Sequence, residues 1–310
     1  MLDVEVDHFS IFKASINFTI LTPVFKKQGL PEMRNTFFYR LTNGSICFMD
    51  EFAYNKEKSM KIVVVGGTGL IGSKLIKKLR DKGHEAIAAS PSTGVNTLTG
   101  EGLAGALEGA HAVVDVANAP SFEDKAVLQF FETSTRNLLK AEQAAGIHYH
   151  VALSVVGTDL LTESGYFRAK LAQENLIKSS NIPYTIVRAT QFFEFLSSII
   201  QESTIGQTVH LPNAFIQPIA SDDVAEALFQ VVLEKAKNDI YEIAGPKRFR
   251  FSEIVEEYLQ ATNDRRKIIS EKDSRYFGVK LDENTLVPQG NAHLGSITFK
   301  GWFKTQHTTV

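Results

Sequence analysis

Residues 61–72 read KIVVVGGTGLIG, from Lys61 to Gly72, and the fold follows from how this stretch changes character half-way. Ile62, Val63, Val64 and Val65 form an unbroken apolar, β-branched run, the mark of a strand covered on both faces. Beyond the glycines, Leu70, Ile71, Leu75, Ile76 and Leu79 recur on one stripe of a helix over residues 70–82. Between them, Gly66, Gly69 and Gly72 have GxxGxxG spacing, and Gly67, Gly69 and Gly72 also satisfy GxGxxG. Glycines there permit positive φ and remove Cβ atoms, so backbone amides can approach a diphosphate that the helix N-terminus favours electrostatically. The spacing therefore predicts a dinucleotide site at Gly66, Thr68, Gly69, Leu70, Ile71 and Gly72. The bland alternative is a merely tight turn between strand and helix.

The alternation continues outward. Strands are expected at 85–90, 111–117, 150–154, 184–188 and 240–244, with helices near 103–108, at 123–145 (stopped by Gly146), 166–180, 221–235 and 252–261. Strands separated by helices make right-handed crossovers, so every strand's C-terminal end falls on one rim, where ligands bind. The fold class is α/β, a doubly wound parallel sheet with a small C-terminal substrate lobe drawn mainly from 190–220 and 246–310.

Residues 1–59 differ. They hold 8 of the 22 Phe residues but only Ala14 and Ala53 among alanines, and they show no helical period. Short strands at 16–24 and 36–41, with Asn43-Gly44 as a turn, would suit a small β element without chemistry. Met60 stands immediately before the first strand of the 60–310 domain, and Lys56-Glu57 is encodable as AAG-GAG, a purine-rich ribosome-binding sequence. The expectation is that Met60 is the natural start and 1–59 a misassigned extension. Intact mass of protein made from the native gene checks this; a chain beginning at Met1 refutes it.

Bulk composition narrows the partners. The 310 residues are 44% hydrophobic and 22% charged with a net charge of −2, and no basic stretch suggests nucleic acid or an anionic membrane. Cys47 is the sole cysteine, which excludes an internal disulfide and suits a reducing compartment. No apolar run reaches the ~18 residues of a membrane span, and Asp3, Glu5, Asp7 and Lys13 do not suit a signal peptide. Cytoplasm is the expected location.

Three residues invite a catalytic reading. Tyr166 and Lys170, four apart at the start of a helix, share one face. A phenol of pKa ~10 needs a cation beside it to act as acid and base near neutrality. Ser154 ends the preceding strand on the ligand rim, where a hydroxyl can hold a carbonyl oxygen while Tyr166 donates a proton. At the end of the second strand, Ser90 and Ser92 could hydrogen-bond a 2′-phosphate. No carboxylate stands there, Glu85 lying at the strand's start, but no Arg grips the phosphate either. The expected cofactor is NADP, with NAD the alternative.

With these motifs in view, the chain from Met60 onward resembles the short-chain dehydrogenase/reductase superfamily, in its atypical NmrA-like, NAD(P)H-binding branch. The resemblance rests on Gly66–Gly72, Ser154, Tyr166 with Lys170, Ile186-Val187-Arg188, Ile219–Ala225 and Ile243-Ala244-Gly245-Pro246. It implies a Rossmann fold and an NAD(P)-dependent oxidoreductase in which Ser154 orients a carbonyl and Tyr166 is the acid/base. Lys170 would also bind the nicotinamide ribose, Asn118 would lie beside the cofactor, and Asn137 would match an asparagine of a proton relay. A homodimer is a further family-based expectation.

The acceptor would be a small carbonyl or quinone-like molecule, walled by Gln191–Leu196 with Ile199 and Ile200; the alternative is that this aromatic cluster is packing. Many NmrA-like members lack the Tyr/Lys pair and act as cofactor sensors, so the rival function is a non-catalytic NAD(P)-binding regulator. An epimerase or dehydratase is a third reading, disfavoured by the short C-terminal lobe. No metal site is expected: Asp222-Asp223 reads as helix capping, His148 and His150 as structural residues sharing a strand face, and Arg188 as a rim salt-bridge partner. Trp302 and Phe303 would pack the C-terminal segment onto the lobe.

Overall fold

A computed structural model describes residues 59–271 and 273–307, together with strands β1 (Phe37–Arg40) and β2 (Ile46–Met49). The chain divides after Lys58 into two units. In the first, β1 and β2 pair antiparallel, with Phe37 opposite Met49 and Arg40 opposite Ile46. The expected strand at 16–24 and the Asn43-Gly44 turn lie outside the described residues.

The second unit begins β3 (Lys61–Val65), α1 (Leu70–Asp81), β4 (Glu85–Ala89), α2 (Leu103–Leu107), β5 (Ala112–Asp115), α3 (Asp124–Ala145), β6 (Tyr149–Val155), α4 (Gly165–Lys178) and β7 (Tyr184–Ala189). It continues α5 (Leu196–Glu202), β8 (Thr204–Ile205), β9 (Thr208–Pro212), β10 (Phe215–Ile216), α6 (Ser221–Leu233), β11 (Asp239–Ala244) and β12 (Phe249–Arg250). Last come α7 (Phe251–Ala261), β13 (Lys267–Glu271), β14 (His293–Leu294) and α8 (Phe299–His307). Seven of these strands make one parallel sheet in the order β4-β3-β5-β6-β7-β11-β14. The order reverses at β3, which pairs β4 on one side and β5 on the other, so the glycine turn ends at the topological switch point. This is the expected doubly wound Rossmann-like sheet.

Both faces of the sheet are covered, which is why its central strands read as unbroken apolar runs. On one face, Ile62, Val64, Ala112, Val114, Val151 and Val187 pack with Ile71, Leu75, Ile76 and Leu79 of α1 and Val224, Leu228 and Val231 of α6. Full burial of one such side chain stabilises the fold by roughly 1.5–3 kcal/mol. Leu70, expected on the same stripe, is instead 40% exposed, because the first turn of α1 projects past the sheet onto the rim. The other face meets α2, α3 and α4. Glu123 caps α3, accepting from Lys125 N and Ala126 N, and Gly146 ends that helix at φ +68°.

The lobe beyond Thr190 has its own aromatic core. Phe193 is buried against Phe299 and Trp302, with Phe251, Tyr276 and Leu286 in the same cluster. β8, β9 and β13 form a small sheet there, whereas β14, from the segment expected in the lobe, extends the edge of the main sheet. The expected aromatic cluster divides: Phe193, Leu196, Ile199 and Ile200 are packing, while Phe192 stacks on a half-exposed Phe195 at 5.4 Å.

His148 and His150 do not share a face as expected, because β6 starts between them. His148 is exposed, its ring 5.3 Å from that of His111. His150 is fully buried and its Nδ1 lies 2.9 Å from Glu142 Oε1 of α3, itself fully buried. Burial pulls the imidazole pKa down, but the charge and hydrogen bond of Glu142, with Asp115 further off, outweigh it and raise the value. The pair stabilises the fold fully below the unfolded histidine value of about 6.5, and that contribution is lost as pH rises through the higher folded value. The unfolding free energy of wild type minus that of His150→Gln, measured with urea, should therefore shrink from about pH 6 to about pH 9. A difference that grows over that range would refute the assignment.

Candidate functional site

The site is built on the rim where β3 and β5 end. Gly66 adopts φ +76°, its N–H donates to Ala89 O, and its carbonyl accepts from Gly69 N at 3.0 Å. A Cβ at Gly66 would stand 2.9 Å from Ala117, and one at Gly72 only 2.3 Å from Gly66 O and 2.6 Å from Gly67 Cα. The turn is thus packed backbone on backbone, and α1 is seated directly on it. α1 starts at Leu70 with Gly69 as N-cap, no side-chain cap and no acidic residue in its first turn. Its first amides lack an internal acceptor of the usual kind. Thr68, Gly69 and Leu70 are exposed, while the Ile71 and Gly72 side-chain positions are buried beneath them. These residues fit a diphosphate: the donors, the helix partial charge and the open face coincide.

Beside the turn, Thr68 Oγ1 donates to Ser90 Oγ at 3.1 Å, and Ser90 Oγ lies 3.2 Å from Ser92 Oγ. Ser90 is buried and Ser92 exposed. Glu85 is exposed at the far end of β4, away from this cluster. Asn118 is exposed beyond β5, its side-chain oxygen accepting from Ala119 N. Asn137 does not reach the rim: its amide donates to Thr97 O and Leu98 O, both at 2.9 Å, and ties down that loop.

The three expected catalytic residues are placed on the right elements but with separate partners. Ser154 is buried near the end of β6, and its hydroxyl donates to Glu174 Oε1 at 2.6 Å. Glu174 in turn accepts Arg188 Nε at 2.9 Å and Nη2 at 2.7 Å, a buried bidentate pair, while Arg188 Nη1 donates to Asp159 at 3.0 Å. Arg188 is a salt-bridge partner as expected, but inside the protein. Lys170 is also buried: its ammonium donates to Leu153 O at 2.8 Å and to Gln173 Oε1, and lies 4.5 Å from the centre of the Phe131 ring. Gln173 passes the connection on, donating to Asp115 Oδ2 at 3.0 Å. Burial pulls Lys170 down to about 8, with Asp115 and Glu174 opposing the fall.

Tyr166 stands apart. It is half-buried among Phe122, Phe131 and Phe167, with ring centres 5.5–6.2 Å away, and no described residue hydrogen-bonds its hydroxyl. Burial pushes its phenol up to about 12, so it holds its proton. Among the described residues no hydrogen bond joins Ser154, Tyr166 and Lys170 to one another. Sequence reasoning missed Asp115, Gln173 and Glu174. Their signal was present: 166, 170, 173 and 174 share the inner face of α4, and Asp115 ends an otherwise apolar strand.

Asp222 and Asp223 occupy the first turn of α6 without capping it. The backbone N–H of Ser221 is instead bonded by Glu194, which also accepts Trp302 Nε1 at 3.0 Å. Asp222 pairs with Lys74 at 2.6 Å, and Asp223 accepts Ile297 N at 2.9 Å. Among the described residues no group of three His, Cys, Asp or Glu side chains is placed to hold a metal, and no helix is long and apolar enough to cross a membrane.

A dinucleotide-type glycine turn at the switch point of a doubly wound sheet defines a nicotinamide-nucleotide-binding class of protein. The chain belongs to the NAD(P)H-binding family, which it matches over residues 66–235, within the short-chain dehydrogenase/reductase superfamily that the motifs suggested. It is 26% identical over 217 residues to photosystem II assembly factor Ycf39 of Synechocystis sp., a match covering 64% of this chain and 66% of that protein. In fold it is similar to the GDP-mannoheptose C4 reductase of Campylobacter jejuni with NADP bound, with a TM-score of 0.60, 12% identity, and 80% and 97% of the two chains covered. The dTDP-glucose 4,6-dehydratase DesIV of Streptomyces venezuelae, with NAD bound, gives a TM-score of 0.60, 15% identity, and 80% and 98% coverage.

The Glu174–Arg188 pair makes a direct prediction. Removing one partner leaves a buried charge with only a weaker, more exposed counterion, Asp159 for Arg188 and Lys178 for Glu174, so Arg188→Leu or Glu174→Leu should each lower unfolding free energy by up to about 3–5 kcal/mol. The double variant Glu174→Leu/Arg188→Leu should lose much less than the sum. Additive losses in urea melts would show that the two groups do not act as a pair.

Proposed function

We propose that this chain is an NAD(P)H-dependent oxidoreductase acting on a small carbonyl or quinone-like acceptor, with Tyr166 as its proton donor. The state of Tyr166 carries this reading. Of the three expected catalytic groups it alone has a polar atom without a described partner, and burial keeps it a neutral phenol, the form that can give up a proton. When bound, the dinucleotide would supply hydride to the acceptor carbon. Tyr166 would donate its proton to the acceptor oxygen, and the aromatic rings around it would exclude water and favour a flat, apolar acceptor. Lys170, when charged, would stabilise the tyrosinate left behind.

Gly66, Thr68, Gly69, Leu70, Ile71 and Gly72 would hold the diphosphate, with Asn118 beside it and Lys170 serving the ribose. The hydroxyls of Ser90 and Ser92, with no carboxylate at that strand end, support NADP over NAD. Ser154 would orient the acceptor's carbonyl oxygen, with Glu174 and Arg188 holding its hydroxyl in place. Residues 190–220 and 246–310 would supply the acceptor side, and 1–59 no chemistry.

A second reading, a cofactor-binding regulatory or assembly protein without turnover, is favoured by the internal engagement of Ser154 and Lys170 and by the name of the Synechocystis relative. The two separate on one experiment: NADPH and NADH oxidation across aldehydes, ketones and quinones, alongside fluorescence titration of the same cofactors. The oxidoreductase reading expects turnover that Tyr166→Phe lowers by a factor of about 10²–10⁴. Turnover should also fall as pH rises above about 8, where Lys170 loses its charge, and that fall should vanish in Lys170→Met. Stoichiometric cofactor binding with no turnover on any acceptor would establish the regulator instead.

A further inference from the structure

Buried polar atoms in this unit are almost all paired, and one side chain breaks the rule at both ends. Gln191 is 8% exposed, and neither its Nε2 nor its Oε1 has a hydrogen-bond partner among the described residues. Leaving a buried amide unmatched at both donor and acceptor forfeits its hydration without replacement, so such a group calls for a partner other than the described side chains, an ordered water or a ligand.

Its backbone is not free to move away. Gln191 O accepts from Ile219 N at 2.9 Å, and Phe193 N donates to Ile219 O at 3.0 Å. Just before it, Thr190 N donates to Ile243 O at 3.1 Å, and Ala189 O accepts from Val156 N at 2.9 Å. The segment leaving β7 is therefore stitched to its neighbours on both sides, and Gln191 is presented from a fixed rail.

The rail lies on the ligand rim. The glycine turn ends β3 and packs against Ala117 just beyond β5, and β7 is the third strand from β3 in the sheet. Three strand spacings are roughly 14 Å, a span that the nicotinamide-ribose half of a dinucleotide with its diphosphate on α1 and an extended glutamine side chain cover together. The ligand group at that distance is a primary carboxamide. It carries one acceptor and two donors in a plane, the complement of a glutamine amide.

We infer that the Gln191 side chain is the hydrogen-bond partner of the nicotinamide carboxamide, fixing which face of the ring is turned toward the acceptor. This rests on the dinucleotide reading above. It adds a binding residue that neither the glycine turn nor the Tyr166–Lys170 spacing points to.

Calorimetric titration of the whole chain tests it, with Gln191→Leu and the length-preserving Gln191→Met against NADPH and NADH. The same titrations use ADP-ribose and its 2′-phosphate, which lack the nicotinamide, and the 3-acetylpyridine analogue, in which methyl replaces the carboxamide NH₂. The expected result is a tenfold or greater loss for the natural cofactors, about 1.4 kcal/mol, unchanged affinity for the ADP-ribose compounds, and a smaller loss for the analogue. Without ligand, both variants should melt higher than wild type, because the unmatched buried amide is gone. Equal losses for cofactor and ADP-ribose, or no loss for either, would overturn the inference while leaving the dinucleotide site intact. Failure of wild type to bind any of these compounds would overturn both.

Discussion

The seat of α1 on the glycine turn is the constraint from which the rim follows. A single methyl at Gly72 would lie 2.3 Å from Gly66 O, so the helix can approach only because two glycines face each other there. This closeness sets the direction in which the first amides of α1 point and places them at the reversal between β3 and β5. It also explains a broken local rule. Helices usually start on a Ser, Thr, Asp or Asn that accepts from the first turn, whereas this one starts on Gly69 with no side-chain cap. A cap would occupy the volume and satisfy the partial charge that a diphosphate needs. Departures from local preference are expected where a ligand completes the structure.

The two faces of the sheet are built on different physics. Against α1 and α6 the sheet is almost wholly apolar, and packing alone suffices. Against α3 and α4, Asp115, His150, Ser154 and Arg188 project from the strands and meet Glu142, Lys170, Gln173 and Glu174 from the helices, all of them buried. Charges taken out of water persist only with partners of good geometry, and here each finds one. That requirement competes with catalysis for the same atoms. Ser154 and Lys170 satisfy buried groups first, and Tyr166, whose hydroxyl no described residue hydrogen-bonds, is pushed up to about 12 by burial.

Most of the fold was legible because its signals are local. The run Ile62–Val65, the glycine spacing, the α1 stripe and the Gly146 stop each specify an element within a few residues, and the parallel order follows from alternation. The edge was not: β14 is two residues long and joins the sheet through pairing with β11, which no local pattern encodes. Within the site, spacing placed Tyr166 and Lys170 on one helix face but could not say what that face meets. Lys170 reaches Leu153 O and Gln173 because the β6–α4 packing brings them there, and Ser154 turns to Glu174 because Arg188 on the adjacent strand holds that carboxylate beside it. Likewise Glu194 took the capping role that Asp222-Asp223 suggested, since a residue 27 positions away is invisible to a local rule.

What remains unsatisfied is then informative in proportion to how much else is paired. His84, Thr135 and His150 each leave one buried atom without a partner, a ring nitrogen or a hydroxyl that a single internal water can serve. Gln191 leaves both ends of an amide, on a backbone fixed by hydrogen bonds to two neighbouring segments. It shares the rim with the uncapped start of α1, at the end of the third strand from β3, so two incompletely satisfied polar groups lie along one edge of the sheet. A chain under pressure only for stability would fill the Gln191 position with an apolar residue of similar size, as its Phe192 and Phe193 neighbours show it readily does. An amide between the end of β7 and those aromatics is what a ligand lying along the rim would complete at both ends.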